Sequence, residues 1–106
     1  MNDVDVKYNV IIDPAASDRM HDHYDFLARV NENAAERLLD GLISSIRSLE
    51  RMPERNPIYD RPYIIKGKYR YLLSCDIYRI VYQIEGNTVY VDDIQDCRQS
   101  ELNNLL

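Results

Sequence analysis

Apolar and polar positions alternate along the C-terminal half of the chain in three consecutive runs. The runs cover residues 69–74, 77–84 and 88–95 and are rich in Tyr, Ile and Val. Cys75-Asp76 and Glu85-Gly86-Asn87 separate them, and Gly and Asn readily adopt the positive φ angles that a hairpin turn needs. Because alternation with a period of two is typical of half-buried strands, the pattern predicts three antiparallel strands joined by tight turns.

The same alternation sorts the strand residues onto two faces of the sheet. One face collects Tyr78, Ile80, Tyr82 and Ile84. This apolar face is expected to pack under helices. The opposite face is expected to carry Arg70 and Arg79, with Arg98 just after the third strand. Three guanidinium groups on a thinly covered face predict an anion site, with phosphate as the expected ligand.

The N-terminal half predicts one strand followed by two helices. The strand covers Lys7 to Ile12, and Asp13-Pro14 then marks a helix start, since Asp accepts an unpaired backbone N–H and Pro lacks one. A second helix is expected from about Ala34 to Arg51, with Asn33 as its N-cap. The short link makes the two helices an antiparallel hairpin. The apolar stripe expected to cover the sheet consists of Ala35, Leu38, Leu42, Ile46 and Leu49.

Several other features are expected to serve only the fold or the surface. Gly41 lies in the middle of the second helix, where a close approach of the first helix would explain it. His21 and His23 lie two positions apart on the first helix, so they do not share a face, and we expect both to be solvated. Residues 54–63 are predicted to be a loop, and the tail after residue 98 a short helical turn.

These elements follow one another in the order β-α-α-β-β-β. The sequence therefore predicts an α+β fold in which a helical hairpin packs on one face of a small, mostly antiparallel sheet. Residues 1–106 are expected to form a single domain. The first strand must pair with a later one, and the sequence alone leaves that partner open.

Composition narrows the class of protein. The chain has 106 residues and a net charge of −5, which argues against simple nonspecific nucleic-acid binding. Residues 51–70 nevertheless contain six basic and two acidic residues, so one edge is basic. No apolar run is long enough to span a membrane, and residues 1–10 lack the features of a signal peptide, so a cytoplasmic location is expected. The two cysteines are expected to be reduced thiols, and neither a metal nor a cofactor is predicted.

The ordered motifs resemble those of the RelE/ParE superfamily, the toxins of bacterial type II toxin–antitoxin (plasmid stabilisation) modules. The resemblance covers nearly the whole chain and is most specific in its C-terminal half. There it consists of Tyr69-Arg70-Tyr71-Leu72, Tyr78-Arg79-Ile80-Val81-Tyr82, Val89-Tyr90-Val91 and Ile94-Gln95-Asp96-Cys97-Arg98-Gln99. In the N-terminal half it consists of the first strand, the Asp13-Pro14-Ala15-Ala16 helix start, the helical hairpin and Pro53.

The resemblance implies two alternative activities for a toxin that arrests growth. RelE-like members are ribosome-dependent endoribonucleases that cut mRNA by attack of a ribose 2′-OH on the adjacent phosphate. In that case Arg70, Arg79 and Arg98 would be catalytic, stabilising the charge on the phosphate. The remaining candidates for proton transfer are Tyr69, Asp96 and Cys97. ParE-like members inhibit DNA gyrase without a ribonuclease site, and the acidic net charge favours this alternative; an inactive partner-binding module is a third.

The resemblance also implies partners. The first is a cognate antitoxin, whose acidic amphipathic segment would order on the helix grooves and the basic face. The targets would be the ribosome and mRNA, or DNA gyrase; operator DNA would be reached only through the antitoxin, and no membrane contact is expected. Candidate substrate or partner contacts are Lys66, Lys68, Tyr71 and Tyr82. Structural roles compete with these functions, since Arg79 has Asp92 or Asp93 as possible cross-strand partners and Arg98 has Asp96.

Overall fold

The structure of the chain, a computed structural model, describes residues 6–99 and 105–106. Two helices, α1 and α2, cover Pro14–Ala28 and Glu32–Ser48, and a short 3-10 helix covers Pro53–Arg55. The strands β1 to β5 cover Asn9–Ile12, Ile58–Tyr59, Tyr69–Ser74, Tyr78–Glu85 and Thr88–Asp96. Most of the helical turn predicted for the tail falls on residues 100–104, which lie outside the described residues.

The strands form one mixed sheet in the order β1-β5-β4-β3-β2, with both helices on one face. β1 runs parallel to β5, which answers the question that the sequence left open, and the other neighbours are antiparallel. The predicted α+β fold is therefore confirmed. The loop predicted for residues 54–63 is wrong in part, because Ile58–Tyr59 pairs with β3 and adds an edge strand.

The two helix starts differ in how well the sequence predicted them. Asp13 caps α1 as expected, since its carboxylate accepts a hydrogen bond from the Ala15 backbone N–H at 2.9 Å. The N-cap of α2 is Asn31, whose side chain accepts from the Ala34 backbone N–H at 3.0 Å, so the predicted cap at Asn33 is wrong. Asn31 has extended backbone angles and therefore occupies the N-cap position two residues earlier.

The core lies between the helices and the sheet. The predicted stripe of α2 is buried: Ala35, Leu38, Leu42, Ile46 and Leu49. On α1 the buried residues are Ala16, Met20 and His23, so a histidine takes a place in the apolar stripe. The prediction that His23 is solvated is wrong, because the spacing of three residues from Met20 places its ring on the buried face.

Gly41 allows a close approach, although the neighbour is not the first helix. A Cβ atom added at Gly41 would lie 2.5 Å from the sulfur of Cys75. Cys75 belongs to the turn between β3 and β4, and both it and Asp76 have positive φ angles, of 52° and 67°. The missing side chain therefore lets α2 pack against this turn.

The same turn determines which face each arginine occupies. The sequence suggested a two-residue connection, which would place Arg70 opposite Val81 and therefore on the face of Arg79. In the structure Ser74 pairs with Tyr78, so three residues form the connection and Arg70 pairs with Tyr82 instead. A shift of one residue in register moves every side chain of a strand to the other face. The prediction that Arg70 and Arg79 share a face is wrong for this reason.

Candidate functional site

Arg79 lies on the open face of the sheet, which the helices do not cover. Its Nε donates to Oε1 of Gln95 at 2.9 Å. Its guanidinium carbon lies 5.4 Å from the ring centre of Tyr59 and 5.9 Å from that of Tyr71, close enough for cation–π attraction. Arg79 is thus held by an amide and two rings, and not by either of the aspartates that cross-strand pairing suggested.

Arg70 lies on the helix side of the sheet, at the edge formed by β2 and β3. Its Nη1 donates to the backbone carbonyl oxygen of Asn56 at 2.6 Å. This bond ties β3 to the segment that follows the short 3-10 helix. The recess beside it has a volume of about 220 Å³ and is lined by Glu54, Gly67, Lys68, Arg70 and Ile84.

Arg98 follows β5 at a third location. Its Nε and Nη2 donate to the two carboxylate oxygens of Asp96 at 3.1 Å and 2.8 Å, which is the ion pair that the sequence suggested as a structural alternative. The side chain of Arg98 remains 62% exposed, whereas that of Asp96 is 7% exposed. A bidentate bond of this kind fixes the guanidinium while leaving its outer N–H groups accessible.

The three arginines consequently do not converge on one anion site. Arg79 lies on the open face, Arg70 on the helix side of the β3 edge, and Arg98 at the end of β5 beside α1. A phosphate held on the open face would meet only Arg79 of the three.

The region beside Arg98 gathers titratable groups that the sequence did not bring together. His23 is 6% exposed, and its Nε2 donates to the backbone carbonyl oxygen of Ile94 at 2.7 Å. Its ring meets the ring of Tyr78 edge-on, with 5.1 Å between centres. Burial, followed by the charge of Asp96, raises the pKa of Tyr78. The cavity here has a volume of about 330 Å³ and is lined by Arg19, Asp22, His23, Phe26, Tyr78, Asp96 and Gln99.

A sequence signal for this cluster did exist. Ala16, Met20, His23 and Leu27 follow the three-and-four spacing of a buried helix face. His23 therefore belongs to the stripe of α1 that faces the end of β5. The sequence pattern did not reveal this position because the imidazole ring is polar.

The predicted contact residues fall into two groups. Lys66 and Lys68 are exposed, with Nζ of Lys68 5.3 Å from the ring centre of Tyr69. Tyr71 is half-buried on the open face. Tyr82 is fully buried, donates its hydroxyl to the Pro53 carbonyl oxygen and accepts from the Asn56 side chain at 2.9 Å. The prediction of Tyr82 as a binding residue is wrong, because its ring is part of the core.

The proton-transfer candidates are separated as well. Tyr69 lies on the open face at the far end of β3, where it pairs with Gln83. Cys97 is exposed, one residue beyond β5. Asp96 accepts from Arg98 and is the only one of the three beside the cavity of His23. Of the three, Tyr69 thus shares the open face with Arg79, but its β4 partner is four residues away from Arg79.

Comparison with known proteins identifies the family. The model of the ParE toxin of type II toxin–antitoxin system, parDE, matches residues 10–101. The chain is a member of the ParE toxin family. Among solved structures, this ParE family member is similar to a chain of the chromosomal ParDE TA system from P. aeruginosa, with a TM-score of 0.70 at 12% identity. The match covers 85% of this chain and 96% of the other. Comparison with curated protein sequences gives no significant match.

The predicted resemblance to RelE/ParE toxins is therefore confirmed. Across residues 6–99 and 105–106, no three His, Cys, Asp or Glu side chains come together as a metal site in this ParE family member. Within the same part of the chain, neither helix has the length and apolar character that a membrane crossing needs.

Replacing Asp96 by asparagine should lower the free energy of unfolding near neutral pH. The hydrogen bond from Arg98 is the main cause that holds the pKa of Asp96 below its ordinary value. A carboxylate whose pKa is depressed in the folded state stabilises the protein above its unfolded pKa and loses this contribution as the pH falls through the folded pKa. The difference between the native chain and D96N, measured by urea unfolding, should therefore shrink below about pH 4.

Asp92 is the matched control, because its pKa is shifted in the opposite direction to that of Asp96. Burial raises its pKa, although a hydrogen bond from Gln83 opposes the shift. Its charged form is thus disfavoured in the folded state, and D92N should cost no stability near neutral pH. An equal loss in D92N and D96N would contradict the role given to the Arg98 ion pair.

Proposed function

We propose that this ParE family member is a growth-arresting toxin that acts by binding its target, with DNA gyrase as the ParE-like target, and not by cutting RNA. The observation that carries the proposal is the separation of Arg70, Arg79 and Arg98. Attack of a 2′-OH on a phosphate needs several cationic groups converging on one phosphate, together with a base and an acid in reach. Of these three arginines the open face offers only Arg79, which Gln95 already holds.

The helical hairpin is the better candidate for contact with the target. Phe26 on α1 is 68% exposed, and Val30 just after it is 82% exposed. Phe26 shares a recess with Arg98, and an exposed aromatic side chain beside an arginine is typical of the contacts that contribute most to binding energy.

A cognate antitoxin is the proposed partner that neutralises the toxin. A groove of about 340 Å³ lies between the helical hairpin and the β3–β4 turn; its lining includes Leu27, Ala34, Leu38 and Ile77, with Arg37 and Arg98 at its rim. An apolar groove with two arginines fits an amphipathic segment that carries carboxylates. Operator DNA would be bound through the antitoxin, consistent with the net charge of −5 of this chain.

One observation favours ribonuclease activity as the second candidate. His23, Tyr78, Asp96 and Arg98 lie around one cavity and one ion pair, which supplies acid/base groups that the open face lacks. The variant Tyr78→Phe distinguishes the two candidate functions. It removes the hydroxyl that could transfer a proton, while keeping the ring that packs on His23.

The test is induction of the chain alone in a bacterium, with growth, transcript ends and a DNA-damage reporter followed together. We expect growth arrest with intact transcripts, an induced reporter, and inhibition of gyrase supercoiling by the purified chain. Phe26→Ala should raise the concentration needed for half-inhibition about tenfold, since truncating a central aromatic contact typically costs 1 to 2 kcal/mol. Leu73→Ala, which removes an exposed side chain on the open face, is the matched control and should change little.

The other results decide against the proposal in different ways. New cuts within translated reading frames, lost in Tyr78→Phe, would establish the ribonuclease alternative. Growth without arrest would leave a partner-binding module, to be recognised by retained binding of the antitoxin.

A further inference from the structure

The open face of the sheet carries three polar side chains that are almost completely buried. Tyr59 is 1% exposed, and Asp93 and Gln95 are both 0% exposed. The helices do not reach this face. The groups that meet these polar atoms include the backbone of residues 105–106, which lies across the face.

The carboxylate of Asp93 accepts two consecutive backbone N–H groups of this segment. Its Oδ2 lies 2.8 Å from the nitrogen of Leu105 and 3.1 Å from that of Leu106. The same oxygen accepts from Nε2 of Gln95 at 2.9 Å, and Oδ1 accepts from the Ile94 backbone N–H at 2.9 Å. A buried carboxylate is tolerated only when donors surround it, so removing the segment would leave part of its charge unsatisfied.

The carbonyl oxygen of the segment is bound with equal specificity. Tyr59 donates its hydroxyl to the Leu106 oxygen at 2.9 Å, and Nε2 of Gln95 lies 3.0 Å from the same atom. Two N–H groups and one C=O of a single stretch of backbone are therefore matched by three buried side chains. The side chain of Leu105 contributes less, since this residue is 46% exposed.

We propose that Tyr59, Asp93 and Gln95 form a binding site for peptide main chain, bent so that two consecutive N–H groups converge on one oxygen, which residues 105–106 occupy in this structure. A segment of another protein that presents two converging adjacent N–H groups and a backbone oxygen competes for the same site. Recognition through main-chain atoms explains why few side-chain contacts are needed.

Occupancy of the site is coupled to Arg79. Oε1 of Gln95 accepts from Nε of Arg79, while Nε2 of the same amide binds Asp93 and the Leu106 oxygen. The bound segment, together with Asp93, thus helps to fix the amide in the orientation that holds the guanidinium over Tyr59. Release of the segment removes the Leu106 oxygen from Nε2, which leaves Asp93 and the Tyr59 hydroxyl as the amide's partners and loosens its hold on Arg79.

The test compares Leu105→Pro with Leu105→Ala in the full chain. Proline removes the N–H that donates to Asp93, whereas alanine keeps it and shortens only the exposed side chain. The readout is solvent exchange of the Gln95 side-chain amide protons, followed by nuclear magnetic resonance. Exchange should accelerate about fivefold or more in L105P, since one charge-assisted hydrogen bond is lost, and should stay near its native rate in L105A.

A peptide added in trans then distinguishes a binding site from a fixed part of the fold. Millimolar Asn-Asn-Leu-Leu, the sequence of residues 103–106, should restore slow exchange in L105P. Native exchange in L105P, or acceleration that the peptide does not reverse, would overturn the proposal. Should L105P fail to fold, Tyr59→Phe removes one donor to the Leu106 oxygen and should accelerate exchange, whereas the neighbouring Tyr71→Phe should not.

Discussion

Replacing Tyr82 by alanine is expected to lower the free energy of unfolding by about 4 kcal/mol, which is within the usual cost of deleting a buried aromatic side chain. The ring is fully buried between the sheet and the helices. Its hydroxyl also joins the core to the short 3-10 helix, because it donates to the Pro53 carbonyl oxygen and accepts from Asn56. Burial raises the pKa of this hydroxyl, as expected for a phenol held in its neutral form.

Two further variants separate the ring from the hydroxyl and the core from the surface. Tyr82→Phe keeps the packing and should cost about 1 to 3 kcal/mol, the penalty for leaving buried polar groups unpaired. Tyr71→Ala, on the open face, should cost about 1 kcal/mol or less, as most half-exposed substitutions do. Urea unfolding followed by circular dichroism measures all three. Equal losses at Tyr71 and Tyr82 would show that Tyr82 does not have the structural role described here.

Replacing Asp93 by alanine is expected to destabilise the fold by about 3 kcal/mol, because several charge-assisted hydrogen bonds are lost together. Asp93 is fully buried and accepts from the backbone of Ile94, Leu105 and Leu106 and from Gln95. Each of these donors then loses its carboxylate partner.

The neighbouring Asp92 is the matched control in the same strand. It is only half-buried, and its carboxylate accepts from the side chain of Gln83. Asp92→Ala should therefore cost less than about 1 kcal/mol. A loss in D92A as large as that in D93A would mean that the buried network on the open face does not stabilise the protein.

The two aspartates differ because β5 contains an irregularity. Val91 pairs with Tyr82 and Asp93 pairs with Val81, which leaves Asp92 as an extra residue in the ladder. The extra residue lets Val91 and Ile94 both face the helices although three positions separate them. The spacing of these apolar residues was visible in the sequence, but its meaning depends on knowing which face the helices cover.

Helix starts show the same division between local and distant information. The Asp13 cap was predictable, because it depends on the next two residues alone. At the start of α2, Asn31 and Asn33 are both good caps by composition. Glu36, which lies three residues after Asn33 and would complete a capping box with it, instead accepts from the hydroxyl of Tyr24 on α1 at 2.8 Å. The start of α2 at Asn31 thus coincides with a contact between the two helices.

The candidate site was predictable only as a set of residue types. That Arg70, Arg79 and Arg98 lie on or next to strands followed from the alternating pattern, and the Arg98–Asp96 pair followed from their spacing. Whether the arginines converge did not follow, since one residue in the β3–β4 connection reverses the face of Arg70. His23 was missed because the ring is polar, although its position in the helix was that of a core residue.

By itself, the sequence determined the order of helices and most strands, the apolar faces of α2 and β4, and the resemblance to the toxin superfamily. These properties depend on periodicity, capping and motifs, which are local in the chain. The tertiary structure decided that β1 pairs with β5, that β2 exists, that Arg70 and Arg79 lie on opposite faces, and that residues 105–106 cover Asp93. Strand order, register and burial of polar groups depend on contacts between residues far apart in the chain. Local sequence patterns are compatible with several such arrangements, and packing selects one of them.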